Sequence, residues 1–130
     1  MVTYIVASKA NTNQLAQCQI LGEHIEKNVP DCTVRFVIKD KCEWATFIDS
    51  VCRTYGFKEK KCPIVYTLEG DEIGDGNAFI EEIKKIYGIN VQMNKEELKC
   101  RTKLNVEKVQ DRIRIRDAGK TLGEKIEEYI

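Results

Sequence analysis

Strand-like and helix-like hydrophobic periods alternate through residues 1–88 in the order β-α-β-α-β-β-α, and this restricts the fold more than any other feature. Residues 2–7, Val-Thr-Tyr-Ile-Val-Ala, are β-branched and aromatic and run into a polar loop. Leu15, Cys18, Leu21, Ile25 and Val29 then recur at helical spacing, with Thr12 or Asn13 able to cap the start and Pro30 beyond the end. Residues 32–38 form a second strand. Asp40 can cap a helix carrying Trp44, Phe47, Ile48, Val51, Cys52 and Tyr55, which Gly56 stops. Residues 63–68, a turn and a short strand around Ile73 make a hairpin. A third helix presents Phe79, Ile80, Ile83, Ile86 and Tyr87 before Gly88.

Strands alternating with helices imply a sheet with parallel pairs, and right-handed crossovers leave few topologies. The economical solution is an α/β three-layer sandwich of the thioredoxin/glutaredoxin type. A length of 130 residues accommodates one such domain plus an appendage. Lys plus Arg and Asp plus Glu number 21 each, so no global field recruits nucleic acid, anionic lipid or acidic substrates. Any electrostatic recognition is local. The apolar N-terminal run is too short for a signal peptide or a membrane span, which points to a reducing, cytoplasmic setting. Cys18, Cys32, Cys42, Cys52, Cys62 and Cys100 are then expected as free thiols. They lie at least ten positions apart and His24 is the only histidine, so no metal site is expected. Cys18 and Cys52 fall on apolar helix faces, and His24 falls on a solvent face.

Residues 89–130 differ in character. Between Lys95 and Ile130 there are 10 Lys/Arg and 8 Asp/Glu, with Gly119 and Gly123 as breaks. Leu98, Val106, Val109, Ile113, Leu122, Ile126 and Ile130 suggest short amphipathic helices, while Arg112-Ile-Arg-Ile-Arg116 alternates as a strand does. This charged, partly helical tail carries too few apolar residues for a core of its own. It is therefore expected to dock on a protein partner through Val109, Arg112, Ile113, Arg114, Arg116 and Ile126.

In a thioredoxin topology the loop after the first strand leads to a helix N-terminus, whose free N–H groups stabilise a thiolate. Here that place holds Thr12, Asn13, Gln14 and Leu15, with no cysteine pair. A threonine hydroxyl stays protonated near neutral pH and forms no mixed disulfide, so dithiol exchange is not expected. The remaining candidate thiol is Cys62, immediately before Pro63, with Lys58, Lys60 and Lys61 close in sequence and able to favour its thiolate.

Three stretches carry a family resemblance. Ala7-Ser-Lys-Ala-Asn-Thr-Asn-Gln-Leu-Ala16 is similar to A-G-R-A-D-C-P-Y-Y-A. Glu43-Trp44, Val51-Cys52 and Cys62-Pro63-Ile-Val-Tyr66 are similar to a tryptophan helix ending in V-C and then S-P-I-I-W. Ile73-Gly-Asp-Gly-Asn-Ala-Phe-Ile80 is similar to L-G-G-Y-N-E-F-L. The chain thus resembles the glutaredoxin-like N-terminal domain of the malate dehydrogenase 1B-type proteins associated with ciliated cells. The resemblance implies a cis Pro63 and a vestigial glutathione groove of Cys62, Pro63, Gly74, Asp75 and Gly76. With Thr12 in place of cysteine and Asp75 in place of glycine, glutathione binding is not expected to persist. No G-x-G-x-x-G run opens a helix after a strand, so dehydrogenase activity is not transferred and no cofactor is expected. The favoured expectation is a redox-inactive binding or scaffold module, in the cytoplasm or the ciliary axoneme. The alternative is a monothiol redox protein using Cys62.

Overall fold

A computed structural model describes the backbone of residues 2–128 and the side chains of residues 2–116. The elements are β1 (Val2–Lys9), α1 (Asn13–Asn28), β2 (Cys32–Lys39), α2 (Lys41–Tyr55), β3 (Ile64–Thr67), β4 (Glu72–Gly74), α3 (Gly76–Tyr87) and α4 (Lys95–Glu128). Each of the first three helices starts where a short polar side chain can take a free backbone N–H. Thr12 caps α1, Asp40 and Glu43 form a reciprocal capping box on α2, and Asp75 caps α3. Gly56 and Gly88 adopt the left-handed conformation that closes α2 and α3.

The sheet order is β2-β1-β3-β4. β1 runs parallel to β2, from Val2 opposite Cys32 to Lys9 opposite Lys39, and antiparallel to β3, which pairs antiparallel with β4. Because strand side chains alternate, β1 divides two cores between the faces of the sheet. Tyr4 and Val6 pack with Leu15, Leu21, Ile25, Phe79 and Ile83 of α1 and α3. Ile5 and Ala7 pack with Trp44, Ile48 and Val51 of α2. These three layers are the thioredoxin-like architecture expected from the sequence. His24 is exposed, Cys18 and Cys32 are buried, and Cys52 is half-buried.

Residues 95–128 depart from the expectation of short helices and a competing strand: they form the single helix α4. A strand at 112–116 would need a ladder partner, whereas a helix satisfies its own backbone and puts Arg112 and Arg116 on one side. Both arginines reach Glu43, and Arg112 also donates to the Ile38 carbonyl at 3.1 Å. α4 lies along α1. Leu98 packs with Ala16 and Ile20, Asn105 and Val109 are buried, and Ile89, Val91 and Met93 fill the approach to the helix. Gln19 and Asn105 exchange amide hydrogen bonds at 3.0 and 2.9 Å, and Arg101 grips Glu23 one helical turn away at 2.6 Å. No helix of the described residues is long and apolar enough to cross a membrane.

Candidate functional site

Three segments converge at the C-terminal end of β1: the turn into α1, the Cys62-Pro63 loop and the turn into α3. The Cys62–Pro63 peptide bond is cis. Ser8 ends the buried stretch of β1 with no exposed surface, so its hydroxyl must find partners indoors. It donates to the Lys9 carbonyl at 2.8 Å and lies 2.8 Å from the Thr12 hydroxyl and 3.7 Å from Cys62 Sγ. Thr12 Oγ1 accepts from the Leu15 N–H at 3.3 Å and sits 3.4 Å from the Lys9 carbonyl. Its hydroxyl is thereby committed to capping the helix.

Cys62 is half-buried opposite Thr12, and its sulfur accepts from the Lys9 N–H at 3.4 Å. Two of the three nearby lysines are engaged elsewhere. Lys60 pairs with Asp49, and Lys61 lies 3.2 Å from Glu72 and 3.9 Å from Glu59, because these carboxylates stand beside the loop. Lys58 is exposed.

Gln14 Oε1 accepts from the Gly76 N–H at 3.0 Å, tying the first turn of α1 to that of α3. A Cβ at Gly76 would come within 2.8 Å of Gln14 and 3.2 Å of Pro63 Cγ, so the close approach requires glycine. Asp75 Oδ1 accepts from the Ala78 N–H at 2.9 Å, so this carboxylate serves as the α3 cap. Beneath the site, burial, with a smaller contribution from the Asp75 charge, pushes the Cys18 thiol up to about 12. Cys18 is no nucleophile near neutral pH.

Of the residues singled out from the sequence, Thr12, Gln14, Cys62, Pro63, Asp75 and Gly76 meet here. Asn13 is exposed, whereas Leu15 and Gly74 are buried. Sequence reasoning missed Ser8, whose signal was a hydroxyl at the inward end of an apolar strand, and the Gln14–Gly76 tie, which has no sequence signature.

The residues assigned to partner docking are placed differently. Val109 is only 4% exposed and packs within the chain. Arg112 and Arg116 are held by Glu43, Arg114 lies 3.3 Å from Asp111, and Ile113 is half-buried. Leu122 and Ile126 lie outside the described side chains. Among the described side chains of α4, the larger exposed apolar residues are Leu104 and Ile115.

A mixed four-stranded sheet whose cis-proline loop faces the first helix's N-terminus defines a thioredoxin-like domain, here with a threonine hydroxyl at the cap. The chain belongs to the family described as "Putative malate dehydrogenase 1B N-terminal domain", whose model matches residues 3–118. Relatives named "Putative malate dehydrogenase 1B" include one from Bos taurus, 24% identical over 105 residues, covering 76% of this chain and 22% of the relative. One from Homo sapiens is 22% identical over 102 residues, covering 74% and 20%, and one from Branchiostoma floridae is 24% identical over 105 residues, covering 76% and 20%. The chain spans about a fifth of the length of these relatives.

Proposed function

We propose that this domain is a redox-inactive binding module, descended from a thiol-dependent fold and used to attach its protein to a larger assembly such as the ciliary axoneme. On this reading the dehydrogenase named in the relatives resides in portions of them that this chain does not cover. The observation that carries the proposal is the Thr12 hydroxyl, which bonds Ser8 and caps α1 in the position from which a cysteine would attack. A helix N-terminus can stabilise a thiolate, but it finds no ionisable group in an alcohol. Among the described residues, docking through α4 falls to the outward Leu104, Arg114 and Ile115, because Val109 is turned inward.

A second reading uses Cys62, favoured by the Lys9 N–H that donates to its sulfur at 3.4 Å. Glutathione-coupled disulfide reduction separates the two. The binding-module reading predicts background turnover for the native chain and a gain when Thr12→Cys restores a thiol at the helix terminus. Turnover by the native chain that disappears in Cys62→Ser overturns it.

A further inference from the structure

β2 is an edge strand, and the direction of its backbone groups can be worked out residue by residue. The Asp31 carbonyl accepts from Val2 N–H at 2.8 Å and the Lys39 carbonyl from Ala10 N–H at 3.1 Å, so the odd-numbered residues turn toward β1. Val34, Phe36 and Ile38 therefore turn both N–H and C=O outward. Such a row is a template for another strand. Side chains from two different helices close it. Glu26 Oε1 of α1 accepts from Val34 N–H at 3.2 Å, and Arg112 Nη1 of α4 donates to the Ile38 carbonyl at 3.1 Å. Among the described residues no side chain is bonded to the outward groups of Phe36.

The two occupied groups are related. If β2 pairs antiparallel with β2 of a second copy about a two-fold axis at Phe36, Val34 stands opposite Ile38 of the other copy. The outer bond of that ladder would run from Val34 N–H to the facing Ile38 carbonyl, the same donor and acceptor that Glu26 and Arg112 occupy. The register is otherwise permissive: Arg35 would face Val37, Thr33 would face Lys39, and no like charges stand opposite. Glu26 and Arg112 of facing copies would also meet as opposite charges at each end. We propose that β2 is a latent self-pairing edge, and that Glu26 and Arg112 together keep it shut by occupying the donor and acceptor a second copy would use. Glu43 is the positioning residue: it accepts from Arg112 at 2.9 Å while its own carboxylate is fixed by the Asp40 N–H at 3.2 Å. α4 thereby acts as a latch on the sheet. This inference is independent of the redox reading.

The test uses the full chain carrying Glu26→Ala and Arg112→Ala, followed by sedimentation velocity over a concentration series and hydrogen exchange at Phe36. Self-association is expected to strengthen by about tenfold or more, since two competing bonds are removed, with slowed exchange of the Phe36 amide in the dimer. Glu26→Gln with Arg112→Lys keeps an acceptor and a donor and is expected to match the native monomer. A folded double variant that stays monomeric, or dimerises with Phe36 unprotected, overturns the proposal, as does a native chain already paired through β2. Should the double variant fail to fold, Arg112→Ala alone must shift association in the same direction, and a folded single variant that stays monomeric also overturns the proposal.

Discussion

Asn105→Ala asks whether α4 is part of the fold. Asn105 is 4% exposed and exchanges hydrogen bonds of 2.9 and 3.0 Å with Gln19, so truncation removes both and leaves the Gln19 amide facing a small void. At ~0.5–1.5 kcal/mol net for each bond, and with half-buried Gln19 able to regain some water, the loss is about 2 kcal/mol. For a domain of this size roughly 3–5 °C of melting temperature follows each kcal/mol, giving a drop of about 6–10 °C. Because the two amides act as a unit, adding Gln19→Ala should cost little more, and the double-mutant cycle should return a coupling of about 1–2 kcal/mol. Thermal unfolding followed by circular dichroism supplies all four corners of the cycle. Unchanged melting in Asn105→Ala, or additive single effects, would show that α4 does not rest on α1 in solution.

Thr12→Ala removes the α1 cap and the bond to Ser8, and should destabilise the domain by about 1–2 kcal/mol in urea unfolding. Gly76→Ala forces a Cβ to within 2.8 Å of Gln14 and should cost about 1–3 kcal/mol by the same measurement, with the slope of the transition unchanged. Cys18 gives a pH signature: its thiol is raised from an ordinary 9.0 to about 12 in the folded chain, mainly by burial. Its contribution is complete below the unfolded pKa and is lost as pH rises toward the folded one, so Cys18→Ala should flatten the alkaline decline in stability between about pH 9 and 12.

The first three layers were legible because each element carries its own signal. Thr12 and Asp40 announce helix starts, Gly56 and Gly88 announce stops, and the apolar period is unambiguous in α1, α2 and α3. α4 was harder for a physical reason. Much of what fixes it is polar: Gln19 with Asn105, Arg101 with Glu23, and Arg112 and Arg116 with Glu43. Such pairs leave no hydrophobic stripe, and over five residues the alternation of Arg112 to Arg116 is as good a strand as a helix. Of the tail's apolar residues, Leu98 and Val109 lie within this chain's own core, so Val109 is not free to dock on a partner as its place in the tail suggested. In the site, the meeting of Thr12 with the Cys62-Pro63 loop followed from the resemblance. The role of Asp75 did not, because an aspartate in a Gly-Asp-Gly run reads equally as turn, ligand or cap until the helix behind it is in place.

On the proposed reading, the thioredoxin-like site holds a structural hydroxyl and no working thiol. Site-resolved mass spectrometry of the full native chain, taken through a time course with oxidised glutathione at neutral pH, tests this directly. The exposed Cys42 and Cys100 are expected to acquire glutathione first, buried Cys18 and Cys32 to stay unmodified, and Cys62 to react no faster than Cys100. Selective and rapid modification of Cys62, released again by reduced glutathione in a cycle that Ser8→Ala slows, would contradict it and make this site a working one.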